Sequence, residues 1–191
     1  MARSADLIKA LRDVVERDKK SSNSIIGNFL TKAALTGGWE SWLQVEFAAQ
    51  VLETIKFTAF SREQAYPVEA KGAGKKYDLC FIGASGGVPI YAELKTQRTS
   101  AYLATLDDFD GDILKIQSFD ADWKSNNMLF AAAILTARAD DVVQLDKLRK
   151  KDMTRYRFAH YDNDGWTVDD SNNSIPPAVK GKLVMVVWCN T

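Results

Sequence analysis

The sequence predicts a mixed α/β (α+β) chain, with a mixed central sheet flanked by helices. Segments of helical periodicity alternate with short strand-like runs, in the order helices, three strands, helix, strand, helix, hairpin, strand. Two runs, "NMLFAAAIL" (127–135) and "KLVMVVWCN" (182–190), are almost continuously apolar, as expected of strands covered on both faces. No repeat, low-complexity tract or linker rich in Pro, Gly or Ser divides the chain, which reads as one domain over 1–191. Within it, 1–36 carry N-terminal helices, 37–136 a core, and 137–191 a helix, a hairpin and a last strand.

The elements follow in order. "ADLIKALRDVVERD" places Leu7, Leu11, Val14 and Val15 on one helical face. "SSNSIIGNFLTKAAL" follows as a second helix, with Ser22 as N-cap and Ile25, Ile26, Phe29 and Leu30 facing inward. Gly37-Gly38 breaks the chain before a third helix, "WESWLQVEFAAQVLETI". "AYPVEA", "KKYDLCFIG" and "VPIYAELKTQ" read as strands, the last two joined through "ASGG" as a hairpin. "LDDFDGDILKIQSFDADW" repeats Phe109, Ile113, Ile116 and Trp123 at helical spacing, and "DDVVQLDKLRKK" is a short helix. "YRFAHYDNDGWTV" predicts a second hairpin about Asn163-Asp164-Gly165.

Composition excludes several function classes. At 46% hydrophobic and 26% charged the chain is of ordinary globular make-up. Its 25 Lys and Arg balance 25 Asp and Glu, which argues against coating nucleic acid by charge alone and leaves room for a local basic patch. A single histidine, His160, rules out His-rich zinc sites and centres built on two histidines, and His160 itself reads as structural. Cys80 and Cys189 lie in apolar runs and are expected to be free thiols in a reducing compartment. No stretch approaches the roughly 18 apolar residues that cross a bilayer, and no signal-peptide core opens the chain. A cytoplasmic protein with no membrane partner is the expectation.

The chemistry concentrates in the first hairpin. Alternation sends Glu93, Lys95 and Gln97 to one face of their strand, and Asp78 on the neighbouring strand can lie across from them. Two converging carboxylates repel unless a cation separates them, and oxygen donors favour Mg²⁺ or Mn²⁺. Lys95 would then orient or deprotonate a water, or stabilise charge on a phosphate. An exposed polar face of an edge hairpin is the plainer alternative. In the third helix, Glu46 projects between Trp42 and Trp39 at about 100° per residue, where an unpaired carboxylate is costly. It is expected either to point at the same cation or to meet a buried Lys or Arg.

A helix with Glu46, then "YDL", then "AELK" resembles the PD-(D/E)XK nuclease superfamily, whose signature is an Asp, a spacer across a hairpin, and Glu-x-Lys. Asp78, Glu93 and Lys95 match the three positions, Glu46 the additional helix acid, and Gln97 a further polar position; Tyr77 stands where the motif's Pro would be. The resemblance covers Trp39 to about Trp123 and implies a restriction-endonuclease-like αβββαβ core. It implies further that Asp78, Glu93, the Leu94 carbonyl and Glu46 hold Mg²⁺, with Mn²⁺ substituting, while Lys95 assists attack of water on a phosphodiester. DNA is then the favoured substrate over RNA, and a homodimer a natural form for cutting duplexes. Lys71, Lys75, Lys76, Arg98 and Lys115 are the candidate nucleic-acid contacts beside the motif; Lys147, Arg149, Lys150, Lys151, Arg155 and Arg157 form a denser basic run. A nuclease-like fold that only binds nucleic acid or a protein is the alternative function, and an unrelated α/β interaction domain a third.

Overall fold

The computed structural model describes residues 4–31, 39–55, 57–72, 74–83, 87–97, 102–151, 155–162, 165–169 and 181–190. Helix α1 (Ser4–Lys19) buries Leu7, Ala10, Leu11, Val14 and Val15 along one stripe, as their spacing predicts. Helix α2 (Ile25–Thr31) begins later than expected, and Ser22 does not cap it. The carboxylate of Asp18 accepts from the amides of Ile25 at 2.8 Å and Ile26 at 3.0 Å, and Ser24 Oγ accepts from Gly27 N–H at 2.8 Å. The end of α1 and the Ser24 hydroxyl thus share the capping that Ser22 was expected to give. The side chains of Phe29 and Leu30, the Gly37-Gly38 break and the Asn163-Asp164 turn lie outside the described residues.

Helix α3 (Glu40–Ile55) leads into β1 (Phe57–Arg62), a strand that its sequence hides. "FTAFSR" lies at the sheet edge, half exposed, and lacks the alternation that marks a half-buried strand. The predicted strand "AYPVEA" is corrected: Ala65 makes one isolated bridge to Lys76, and Val68–Ala70 form a 3₁₀ turn ended by Lys71 at φ 55°. Pro67 has no N–H to give to a ladder, so the chain turns there.

β2 (Leu79–Gly83), β3 (Ile90–Thr96), α4 (Tyr102–Gln117), α5 (Ala121–Ser125) and β4 (Met128–Thr136) follow, then α6 (Ala139–Lys151), β5 (Tyr156–Asp162), β6 (Gly165–Asp169) and β7 (Leu183–Cys189). The helix predicted across 106–123 is two helices. Asp120 starts α5 by accepting from the amides of Asp122 and Trp123. The seven strands form one sheet in the order β1-β2-β3-β4-β7-β5-β6. Among the described strands, only β3 and β4 pair in parallel, joined through α4 and α5, and the other neighbours are antiparallel. From α3 to β4 the element order is therefore αβββαβ with the short α5 inserted before β4.

Two apolar layers cover the sheet. On one face Ala92, Leu94, Phe130, Ala132, Met185 and Val187 pack with Leu11, Val14, Leu43 and Phe47 of α1 and α3. On the other, Tyr91, Leu129, Ala131, Ala133, Val186 and Trp188 meet Leu106, Phe109, Ile113 and Ile116 of α4 and Leu145 and Leu148 of α6. Both cysteines are buried, and neither is in a disulfide among the described residues. Among the described residues, no helix is long and apolar enough to cross a membrane.

Candidate functional site

The β2–β3 register aligns Leu79 with Ala92 and Cys80 with Tyr91. Extended by one residue, it sets Asp78 across from Glu93, where β2 has already given out. Alternation turns Tyr91, Glu93 and Lys95 to the layer of α4, and Ala92 and Leu94 to that of α1 and α3. Asp78 Oδ2 accepts the N–H of Leu94 at 2.6 Å. A strand residue directs its N–H and C=O to the same edge, so the Leu94 carbonyl faces this gap as well.

Helix α4 completes the site with Asp112 and Lys115, three residues apart on one face. Lys115 Nζ lies 2.6 Å from Glu93 Oε1 and 2.9 Å from Asp112 Oδ1, and donates to the Lys76 carbonyl at 3.3 Å. Tyr66 donates its hydroxyl to the same Glu93 Oε1 at 2.6 Å, and its ring centre is 5.9 Å from Lys115 Nζ. Lys95 Nζ lies 3.1 Å from Asp112 Oδ2 and 3.8 Å from Glu40 Oε1 at the start of α3. The Lys95–Asp112 contact is at ion-pair distance but poorly aligned, and Asp112 Oδ2 is buried without a hydrogen bond. Among the described residues, the carboxylates of Glu40, Asp78, Glu93 and Asp112 thus gather about the ammonium groups of Lys95 and Lys115.

Burial and the neighbouring charges show in the acidities. Glu93, 2% exposed, is pushed up to about 7 by burial and then by Asp112, against the opposing pull of Lys115. Burial also raises Asp78, and the Leu94 N–H and Lys95 offset it in part. For both lysines burial favours the neutral amine, yet the carboxylates outweigh it and raise them: Asp112, Asp78 and Glu40 for Lys95, and Glu93 and Asp112 for Lys115. Burial and the Glu93 charge raise Tyr66, which keeps it a donor.

The structure brings Asp78, Glu93, Lys95 and Lys115 together and leaves other expected residues out. Glu46 points to the seam between α1 and α3, where Oε2 meets Arg17 at 2.7 Å. Leu43, Phe47 and Val51 hold α3 against the sheet face opposite Glu93, so Glu46 does not share a cation with Glu93. Gln97 is buried and accepts from the Thr136 amide at 2.6 Å, clamping β3 to β4. Lys71 pairs with Asp120 at 2.6 Å, and Lys75 donates to Ser118 at 3.1 Å across the Phe119 ring. Lys76 carries an exposed side chain on the isolated bridge to Ala65, and Arg98 lies outside the described residues. In the denser basic run Lys150 pairs with Asp146 at 2.6 Å, and the side chains of Arg149 and Lys151 are outside the described residues. His160 belongs to β5, with Nε2 3.8 Å from Asp162.

Sequence reasoning missed Asp112, Glu40 and Tyr66. Asp112 closes an acidic run with Asp107, Asp108 and Asp110 and resembles a solvated face. Its one distinguishing signal is the i,i+3 spacing to Lys115. Tyr66 stands next to Pro67, in a segment misread as strand.

Among the described residues, no group of three or more Asp, Glu, Cys or His side chains could hold one metal ion. The donors on offer to a divalent ion are Asp78, Glu93 and the Leu94 carbonyl. They are all oxygen, the donor type that a hard cation takes, and Asp112 beside them is engaged by Lys95 and Lys115. No protein-family model matches the chain, and no curated protein and no solved structure matches it.

Proposed function

We propose that this chain is a metal-dependent phosphodiesterase of the PD-(D/E)XK type that hydrolyses DNA. The observation that carries the reading is the placement of Asp78 across from the buried Glu93, with Lys95 in the same row of β3. The αβββαβ element order supports it, as does the cluster of Lys71, Lys75 and Lys76 next to Asp78 in the chain.

In this reading Asp78, Glu93 and the Leu94 carbonyl hold Mg²⁺ or Mn²⁺. When bound, the ion supplies an acidified water and offsets charge on the phosphoryl oxygens. Asp78 is kept in place by the Leu94 amide, and Glu93 by the Tyr66 hydroxyl. Lys95, held charged by Asp112, Asp78 and Glu40, presents an ammonium to the attacking water or the developing phosphate charge. Its pairing with Asp112 fixes where that charge is offered.

Purified protein incubated with plasmid DNA and with RNA, in Mg²⁺, Mn²⁺ or EDTA, tests the proposal. Cleavage of DNA is expected with either ion and not with EDTA. Glu93→Ala should lower it by more than about 100-fold, beyond the effect of losing a group that merely orients a ligand. Cleavage that survives both Glu93→Ala and Lys95→Ala would assign the activity elsewhere. A second reading, a nuclease-like fold that binds nucleic acid without cutting it, is favoured by the Lys115 ammonium resting on Glu93.

A further inference from the structure

We infer that Lys115 is the resident counterion of this site, competing with the divalent ion for Glu93, so that its charge sets how tightly the ion binds. The inference rests on the metal-dependent reading above and concerns a residue that the Asp–Glu-x-Lys signature does not contain.

The geometry gives Lys115 two partners and a way to release one. Its Nζ bridges Glu93 Oε1 at 2.6 Å and Asp112 Oδ1 at 2.9 Å, with only about a fifth of the side chain exposed. A Mg²⁺ ion stands about 2.1 Å from each ligand oxygen. It cannot share the near side of Oε1 with an ammonium already there. If Lys115 stayed while the ion took the far side of the carboxylate, a cation and a dication would lie within about 5 Å of each other in a dry pocket. Both arrangements make the charge of Lys115 oppose the ion.

Two neighbours let Lys115 leave Glu93 without disordering the site. Asp112 remains its partner through the i,i+3 spacing on α4, and the four-carbon stem allows the ammonium to swing. Tyr66 still donates to Oε1 and keeps Glu93 oriented without adding charge. Orientation and charge balance therefore fall to different residues. Groups that only orient a metal ligand strengthen ion binding, and their loss weakens it about 10–100-fold. Loss of the Lys115 charge should act in the opposite direction.

Calorimetric titration of the full chain with Mn²⁺ reads that sign directly. Lys115→Gln, which keeps a donor, and Lys115→Met, which does not, are both expected to bind Mn²⁺ at least about tenfold more tightly than the parent. Both should melt at lower temperature in EDTA and recover more on adding Mn²⁺ than the parent does, because binding to the folded state alone stabilises it. Lys115→Arg keeps the charge and should stay within a few-fold of the parent. So should Lys9→Met, at an exposed lysine paired with Asp13 on α1. Equal or weaker Mn²⁺ binding by both neutral variants, with the parent binding normally, overturns the inference and leaves the metal-dependent reading standing. No binding by the parent or by any variant at millimolar Mn²⁺ overturns the reading itself, and the inference with it.

Discussion

Adjacent residues of β3 meet opposite layers of the protein. Leu94 is fully buried, facing the layer of Phe47, Phe130 and Leu43. Glu93 is almost as dry, and its neighbours are a phenol, an ammonium and a second carboxylate. Burial is the same, and only the partner set differs. For Leu94 the stabilisation comes from apolar area and fit, which pH and ions hardly touch. For Glu93 it depends on charge, so protons and cations can change it. A third position sharpens the contrast. Glu46 has the same side chain as Glu93 but sits on the α1–α3 seam, partly in water, with Arg17 as its ion-pair partner.

The largest stability effect is expected on the apolar side. Leu94→Ala keeps the amide that Asp78 accepts from and removes only volume, so it should cost about 2–5 kcal/mol. Urea denaturation at fixed pH measures it, and the loss should be the same with Mn²⁺ or EDTA. A cost under about 1 kcal/mol would mean that this layer is loosely packed, and the contrast across β3 would lose its apolar half.

The charged side should respond to pH with a definite sign. Burial and Asp112 hold Glu93 at about 7, above its ordinary 4.5, so the folded chain keeps this proton when the unfolded chain has released it. Between those values the unfolded state binds fewer protons, and stability falls as pH rises. The contribution is whole below about 4.5 and gone once pH has passed about 7. Its size is on the order of 3 kcal/mol. In EDTA, the parent should lose more stability between pH 5 and pH 8 than Glu93→Gln does. Parallel losses in the two proteins would show that Glu93 does not titrate in that window.

This contrast was partly legible in the sequence. A period of two assigns a direction to every residue of a strand once one is placed, so Leu94 inward to one layer forces Glu93 and Lys95 to the other. That is why the Asp78, Glu93 and Lys95 grouping could be read from spacing. A helical wheel is weaker: it assigned Glu46 to the Trp39–Trp42 face but not what covers that flank, and α1 brought Arg17 there. Asp112 and Glu40 reach the site by tertiary packing alone, from helices whose acids look solvated in one dimension. The continuous apolar runs of β4 and β7 announced themselves, whereas β1, an edge strand with polar and apolar residues unsorted, had no pattern to read.

The smallest effect belongs to the third glutamate. Arg17 and Glu46 meet at 2.7 Å with side chains 56% and 36% exposed, and Arg17 also donates to Gln50 Oε1 at 3.2 Å. Single substitutions would mix these contacts, so a double-mutant cycle with Arg17→Ala and Glu46→Ala isolates the pair. Its coupling should be about 0.2–1 kcal/mol and should shrink in high salt, because solvent and ions screen it. Neither substitution should move Mn²⁺ affinity, since α3 holds Glu46 over the face of the sheet opposite Glu93. Weakened Mn²⁺ binding in Glu46→Ala would return this residue to the ion after all. A coupling above about 2 kcal/mol would mean that the α1–α3 seam shields its charges nearly as well as the cleft beneath α4.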